Sequence, residues 1–112
     1  MADLDNLMTL PGAIGAFKYS DKGELLEHRV ATGAELSERI LDLLCHLCVA
    51  DVAIASMQAR GWENLTGMKG FYPVEGFTLV GFKWSAVVAG DYGVVLTNEQ
   101  ADYEAAFAAL AQ

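Results

Sequence analysis

The longest sustained pattern of apolar and polar positions runs from Ala34 to about Gly61, 28 residues without a proline. Its apolar residues recur at helical rather than strand spacing. Ala34-Glu35-Leu36-Ser37-Glu38 predicts the helix start, with acidic side chains at the positive end of the helix dipole. Gly61, preceded by Arg60, predicts the stop. At ~100° per residue, Glu35, Glu38, Arg39, Asp42, His46, Ser56 and Arg60 share one polar sector. Two apolar faces flank it. One carries Leu36, Ile40, Leu43, Leu47 and Ile54; the other carries Leu41, Cys45, Cys48, Val52, Ala55 and Ala59. A surface helix needs only one apolar face, so two faces imply two covers. The bulky face suits the pleated surface of a sheet, and the small face suits close approach of another helix. The rest of the chain offers no second long helix. Leu41, Cys45, Cys48, Val52, Ala55 and Ala59 are therefore predicted to form the seam of a homodimer. Covering ~600 Å² of that face at ~25 cal/mol per Å² gives on the order of 15 kcal/mol gross, before association costs.

Shorter patterns surround this segment. Ala2 to Leu10 reads as an amphipathic helix ended by Pro11-Gly12. Ala13 to Tyr19 and Glu24 to Val30 read as strands joined by Ser20-Asp21-Lys22-Gly23, where Gly23 suits the left-handed conformation. Trp62 to Tyr72 is irregular, glycine-rich and aromatic, and reads as a structured connection. Glu75 to Val80, Trp84 to Ala89 and Tyr92 to Thr97 read as three strands with turns at Gly81-Phe82-Lys83 and Gly90-Asp91. Asn98 is predicted to cap a last helix to Leu110. The sum is an α+β domain spanning residues 1–112. A five-stranded antiparallel sheet lies under one long helix in two layers, with short terminal helices.

Composition narrows the function. The net charge of −8, with only seven scattered Lys and Arg, opposes binding to nucleic acid or to an anionic membrane. At 54% hydrophobic residues the chain can build a core. Two cysteines, no leader pattern and no apolar run of ~18 residues point to a soluble cytoplasmic protein.

Several stretches carry a resemblance. They are Leu7-Met8-Thr9-Leu10-Pro11-Gly12-Ala13-Ile14-Gly15-Ala16, then Asp21-Lys22-Gly23-Glu24-Leu25, then Cys48 with Met57-Gln58-Ala59-Arg60-Gly61. With the order of elements, they resemble the roadblock/dynein light-chain superfamily of profilin-like domains, near a small bacterial roadblock-like subfamily of unassigned function. The resemblance implies a homodimer or pseudo-symmetric heterodimer with its long helices packed together and strands joined into one sheet. It also implies a scaffold or a regulator of small Ras-like GTPases. It supplies no catalytic residue set to carry over, and no cofactor is expected.

Candidate chemistry is sparse. Cys45-His46-Leu47-Cys48 is the one cluster that could carry it, since Cys45 and Cys48 share a helical face. Around a two-fold axis, two such pairs would supply four thiols, the ligand count of a structural zinc or an iron–sulfur cluster. Buried cysteines also pack as small hydrophobes, the commoner role. Asp51 needs partners, with Gln58 two turns on along the same face, and His28 and His46 read as solvated. Gly67-Met68-Lys69-Gly70 matches a nucleic-acid clamp pattern against an unfavourable charge. The aromatic residues of segment 62–77, Trp62, Phe71, Tyr72 and Phe77, could line a small-molecule pocket. The leading reading is a non-enzymatic homodimeric interaction module. The alternative is a ligand, metal or redox sensor built on Cys45/Cys48 or on segment 62–77.

Overall fold

A computed structural model describes residues 2–112. The elements are α1 (Leu4–Leu7), β1 (Ala13–Tyr19), β2 (Leu25–Val30), α2 (Glu38–Thr66), β3 (Gly76–Val80), β4 (Trp84–Ala89), β5 (Tyr92–Thr97) and α3 (Tyr103–Leu110). The strands form one antiparallel sheet in the order β2-β1-β5-β4-β3. The expected α+β architecture of five strands and one long helix is present.

Alternation along the strands sends side chains to both faces. Phe17, Tyr19, Val88 and Val95 form one core with Leu41, Cys45 and Cys48 of α2. Ala16, Val87, Val94 and Leu96 form another with α1 and α3. The long helix thus covers one face, and the terminal helices cover the reverse. The centre of the sheet is tight: Phe17 pairs across β1 and β5 with Gly93, and a Cβ at Gly93 would collide with the Phe17 ring.

The β1–β2 turn is docked on the helix. Gly23, at φ +84°, lies against the backbone of His46, where a Cβ would come within 3.1 Å of its Cα. The Leu25 N–H donates to Asp42 Oδ1 at 3.2 Å, so Asp42 of the polar sector ties β2 to α2.

Helix limits differ from expectation in three places. The first helix is one turn long rather than Ala2–Leu10, because the Thr9 hydroxyl donates to the Asn6 carbonyl and Pro11 follows. α2 starts at Glu38, where the Ser37 Oγ accepts the Ile40 N–H, and it runs through Gly61 to Gly67. A mid-helix glycine costs only about 1 kcal/mol, which is not enough to stop a helix whose neighbours are good formers. Gly67 ends it in the left-handed conformation, φ +72°, with its N–H on the Glu63 carbonyl. The last helix is capped by Asp102, whose carboxylate accepts the Ala105 N–H, and not by Asn98. Asn98 instead donates its amide to the carbonyls of Gly81 and Phe82 and so holds the β3–β4 turn.

Candidate interaction surface

The 29 residues of α2 carry two opposed apolar stripes. Leu41, Cys45, Cys48 and Ala59 are buried, and Val52 and Ala55 are half-buried. This corrects the sequence reading, which gave that small face to a second copy and the bulky face to the sheet. The reason is steric. The sheet offers Phe17, Tyr19, Val88 and Val95 on this side, and Phe77 packs beside them. Against so bulky a surface, the mostly small residues of this face, with Leu41 as its one large side chain, pack closely.

The bulky stripe is the open one. Ile40 is 46% exposed, Leu43 58%, Leu47 53% and Ile54 54%. With Ala50, Met57 and Gly61 these positions step three, four, three, four along the helix, the spacing of a coiled-coil seam. By length and composition alone α2 could cross a membrane, yet its opposite face is committed to the sheet.

At its N-terminal end the stripe borders a groove of about 320 Å³ between Ile40, Leu43, Leu44 and Leu47 of the helix, Leu36 just before it, and Leu79 and Trp84 of the sheet. Beside it the β3–β4 turn holds Phe82 in solvent at 97% exposure. β3 is an outer strand with Leu79 and Val80 exposed and no charged residue. At the other outer strand, β2, Glu27 and Arg29 are both exposed, and Arg29 pairs with Asp5 at 3.0 Å.

The C-terminal end of α2 is fastened to the segment that follows. Glu63 Oε2 accepts the N–H groups of Gly70, Phe71 and Tyr72 at 2.9, 3.1 and 3.2 Å. These backbone donors, those of Tyr72 and Gly70 foremost, hold its carboxyl below the usual carboxylate range. Trp62 meets Phe71 edge-on at 5.7 Å, and the Arg60 guanidinium lies 4.8 Å from the Tyr72 ring centre. The Gly67–Gly70 stretch is therefore a helix terminator and its return turn. Trp62, Phe71 and Val74 also wall a hollow of about 320 Å³ floored by Ala55 and Ala59, with Gln58 as a polar group on its rim.

Cys45 and Cys48 lie inside the chain's own core as free thiols. The alternative of four thiols gathered at a two-fold axis requires them on an outer face, whereas both are buried in the core, as packing residues are. Burial pushes the Cys45 thiol up to about 11, helped by the charge of Asp42. Burial pushes Cys48 up to about 12, helped by Cys45 and Asp51. Thiols so protonated are poor nucleophiles and poor metal ligands. Among the described residues, no three His, Cys, Asp or Glu side chains converge as metal ligands would. His46 is exposed and engages the Asp42 carbonyl at 2.8 Å, while His28 is half-buried in β2. The signal that sequence reading missed was the heptad step of the bulky stripe, which marks a helix seam rather than a sheet-facing surface.

The fold is that of roadblock domains. The gliding protein MglB from Thermus thermophilus superposes with a TM-score of 0.76 at 18% identity, over 97% of this chain and 80% of that one. A roadblock/LC7 domain from Streptomyces avermitilis gives 0.76 at 13% identity, over 96% and 85%. An MglB with a tetrameric arrangement gives 0.75 at 20% identity, over 97% and 79%. No curated protein matches the sequence. Residues 3–112 match the family described as uncharacterized conserved protein (DUF2173), and the chain belongs to that family.

Proposed function

We propose that this chain is a non-enzymatic, homodimeric interaction module that acts in the cytoplasm. What supports the reading is one observation: Ile40, Leu43, Leu47 and Ile54 form a continuous apolar stripe in solvent, on a helix whose other apolar face is already covered. An exposed seam of this spacing marks a protein contact. A second copy is the commonest cover for such a face. The exposed outer strand β3 lies beside the stripe and would extend the same contact.

The dimer in turn presents a surface to a further protein. The roadblock resemblance makes a small Ras-like GTPase the class of that partner. The charge of −8 favours a partner with a basic patch, with binding that weakens as salt rises.

Light scattering on purified protein tests the first step. Two chains per particle is the expected mass, and Ile54→Asp, in the middle of the stripe, is expected to give one. A wild-type particle of one chain at micromolar concentration would reject the reading.

A further inference from the structure

The hollow at the C-terminal half of α2 lies beside the apolar stripe and shares no residue with it. Its floor is Ala55 and Ala59, one turn apart on the helix. Its walls are Trp62, Phe71 and Val74. The two rings meet edge-on, yet Trp62 stays 47% exposed and Phe71 59%. The three backbone hydrogen bonds to Glu63 hold Gly70, Phe71 and Tyr72 in this open position. The chain thus fixes two large rings around an opening instead of folding them over it.

We infer that this hollow is a small-molecule site, and that its ligand is an uncharged, flat, fused ring system with a lactam edge, an N–H beside a carbonyl. The inference goes beyond the interaction role and does not rest on the dimer, since all six lining residues belong to one copy.

Size and shape come from the walls and floor. A volume of about 320 Å³ stands at the lower end of ligand cavities, so it takes a fused bicycle rather than a large cofactor. Trp62 and Phe71 stand at 78° to each other over a floor of methyl groups. A flat ring stacks on one wall and meets the other at its edge, the two arrangements that aromatic quadrupoles favour. Alanine at 55 and 59 leaves the depth for it, and a larger side chain at either position would fill the hollow.

Charge and hydrogen bonding come from the lining side chains. None of the six is ionisable, so a charged ligand would lose water there without gaining a partner. Gln58 is the polar side chain of the rim, and its amide sets a donor beside an acceptor, the complement of a lactam. The walls are already fixed through Glu63, so binding orders little additional chain.

Titration of the isotope-labelled full chain with isocarbostyril, a neutral bicyclic lactam, tests this by NMR. Saturable shifts are expected at residues 55–62 and 70–74, the Trp62 indole N–H among them. N-methylisocarbostyril keeps the rings and the carbonyl and lacks the donor, and it is expected to bind about fivefold more weakly. Gln58→Ala, at an exposed position, is expected to weaken the parent probe by the same factor and to abolish the difference between the two probes. Ala55→Leu is expected to remove the binding of both; should that variant not fold, the two probes on the wild type and on Gln58→Ala decide the question. Shifts that fail to saturate up to the probe's solubility limit, or that centre on the groove at Leu43 and Trp84, would overturn the inference. Equal binding of the two probes to the wild type would overturn the ligand class.

Discussion

Ser85 donates its hydroxyl proton to Asn98 Oδ1 at 2.6 Å, and the Tyr103 hydroxyl lies 3.0 Å from the same Ser85 oxygen. Ser85 is the buried polar residue of the sheet, and Asn98 reaches on to the β3–β4 turn. Asn98→Ala removes the acceptor from a buried hydroxyl and frees two turn carbonyls. The expected loss is about 1–3 kcal/mol. Chemical denaturation reads it, and Asn98→Asp, which keeps the acceptor for Ser85 but sets a carboxylate oxygen against the two turn carbonyls, should not recover the loss.

Gly93→Ala tests the tight centre of the sheet. The added methyl collides with the Phe17 ring, which is itself fully buried and has no room to retreat. Overpacking of this kind costs typically about 1–3 kcal/mol. A midpoint in urea equal to that of the wild type would show that the core yields more easily than its packing implies.

The cysteines set a pH dependence on the alkaline side. Their folded values of about 11 and about 12 stand above the ordinary 9.0, so in alkali the folded state binds more protons than the unfolded one. Their contribution is fully present below pH 9 and is lost as pH rises through the folded values. Tyr19, raised from 10.0 to about 12 by burial, adds to the same slope. Stability is expected to be flat between neutral pH and about pH 8 and to fall above it. Cys45→Ala with Cys48→Ala should flatten the fall while lowering stability at neutral pH. At pH 8 the native thiols should resist a disulfide reagent and react once urea unfolds the chain.

Glu63 gives the opposite sign. Its carboxyl is held below the ordinary 4.5 by the N–H groups of Tyr72, Gly70 and Phe71. The contribution is present above that ordinary value and is lost as pH falls through the folded one. Glu63→Ala should speed hydrogen exchange at residues 70–72 without shifting global unfolding, because the site is on the surface. Unchanged exchange would mean that Trp62 and Phe71 hold the segment without it.

Much of the architecture was legible in the chain. Alternation placed β1, β4 and β5 at their observed limits, because each is bounded by glycine, proline or a short polar turn. The extent of α2 was not legible at Gly61, since local propensity weighs less than the further helix-compatible residues beyond it and a true left-handed stop at Gly67. The choice between the two faces of α2 was also hidden. Amphipathicity marks both Leu43 and Cys45 as apolar, but only the bulk of Phe17 and Tyr19 across the gap decides which can lie close. The β3–β4 turn was similarly obscure, because Asn98 looked like a helix cap and its actual partners, Gly81 and Phe82, lie far from it in sequence.

The two outer strands of the sheet have unequal chemistry. β2 ends the ladder in Glu27 and Arg29, with Arg29 bound to Asp5, whereas β3 ends it in uncharged, apolar residues. A charged border resists a newcomer and an apolar one admits it. Growth by strand addition can therefore proceed from one side only, and a symmetric addition there consumes the open border of both copies. With copies paired at β3 as proposed, the charged β2 border disfavours further strand addition, and neutralising Glu27 and Arg29 is expected to weaken that barrier.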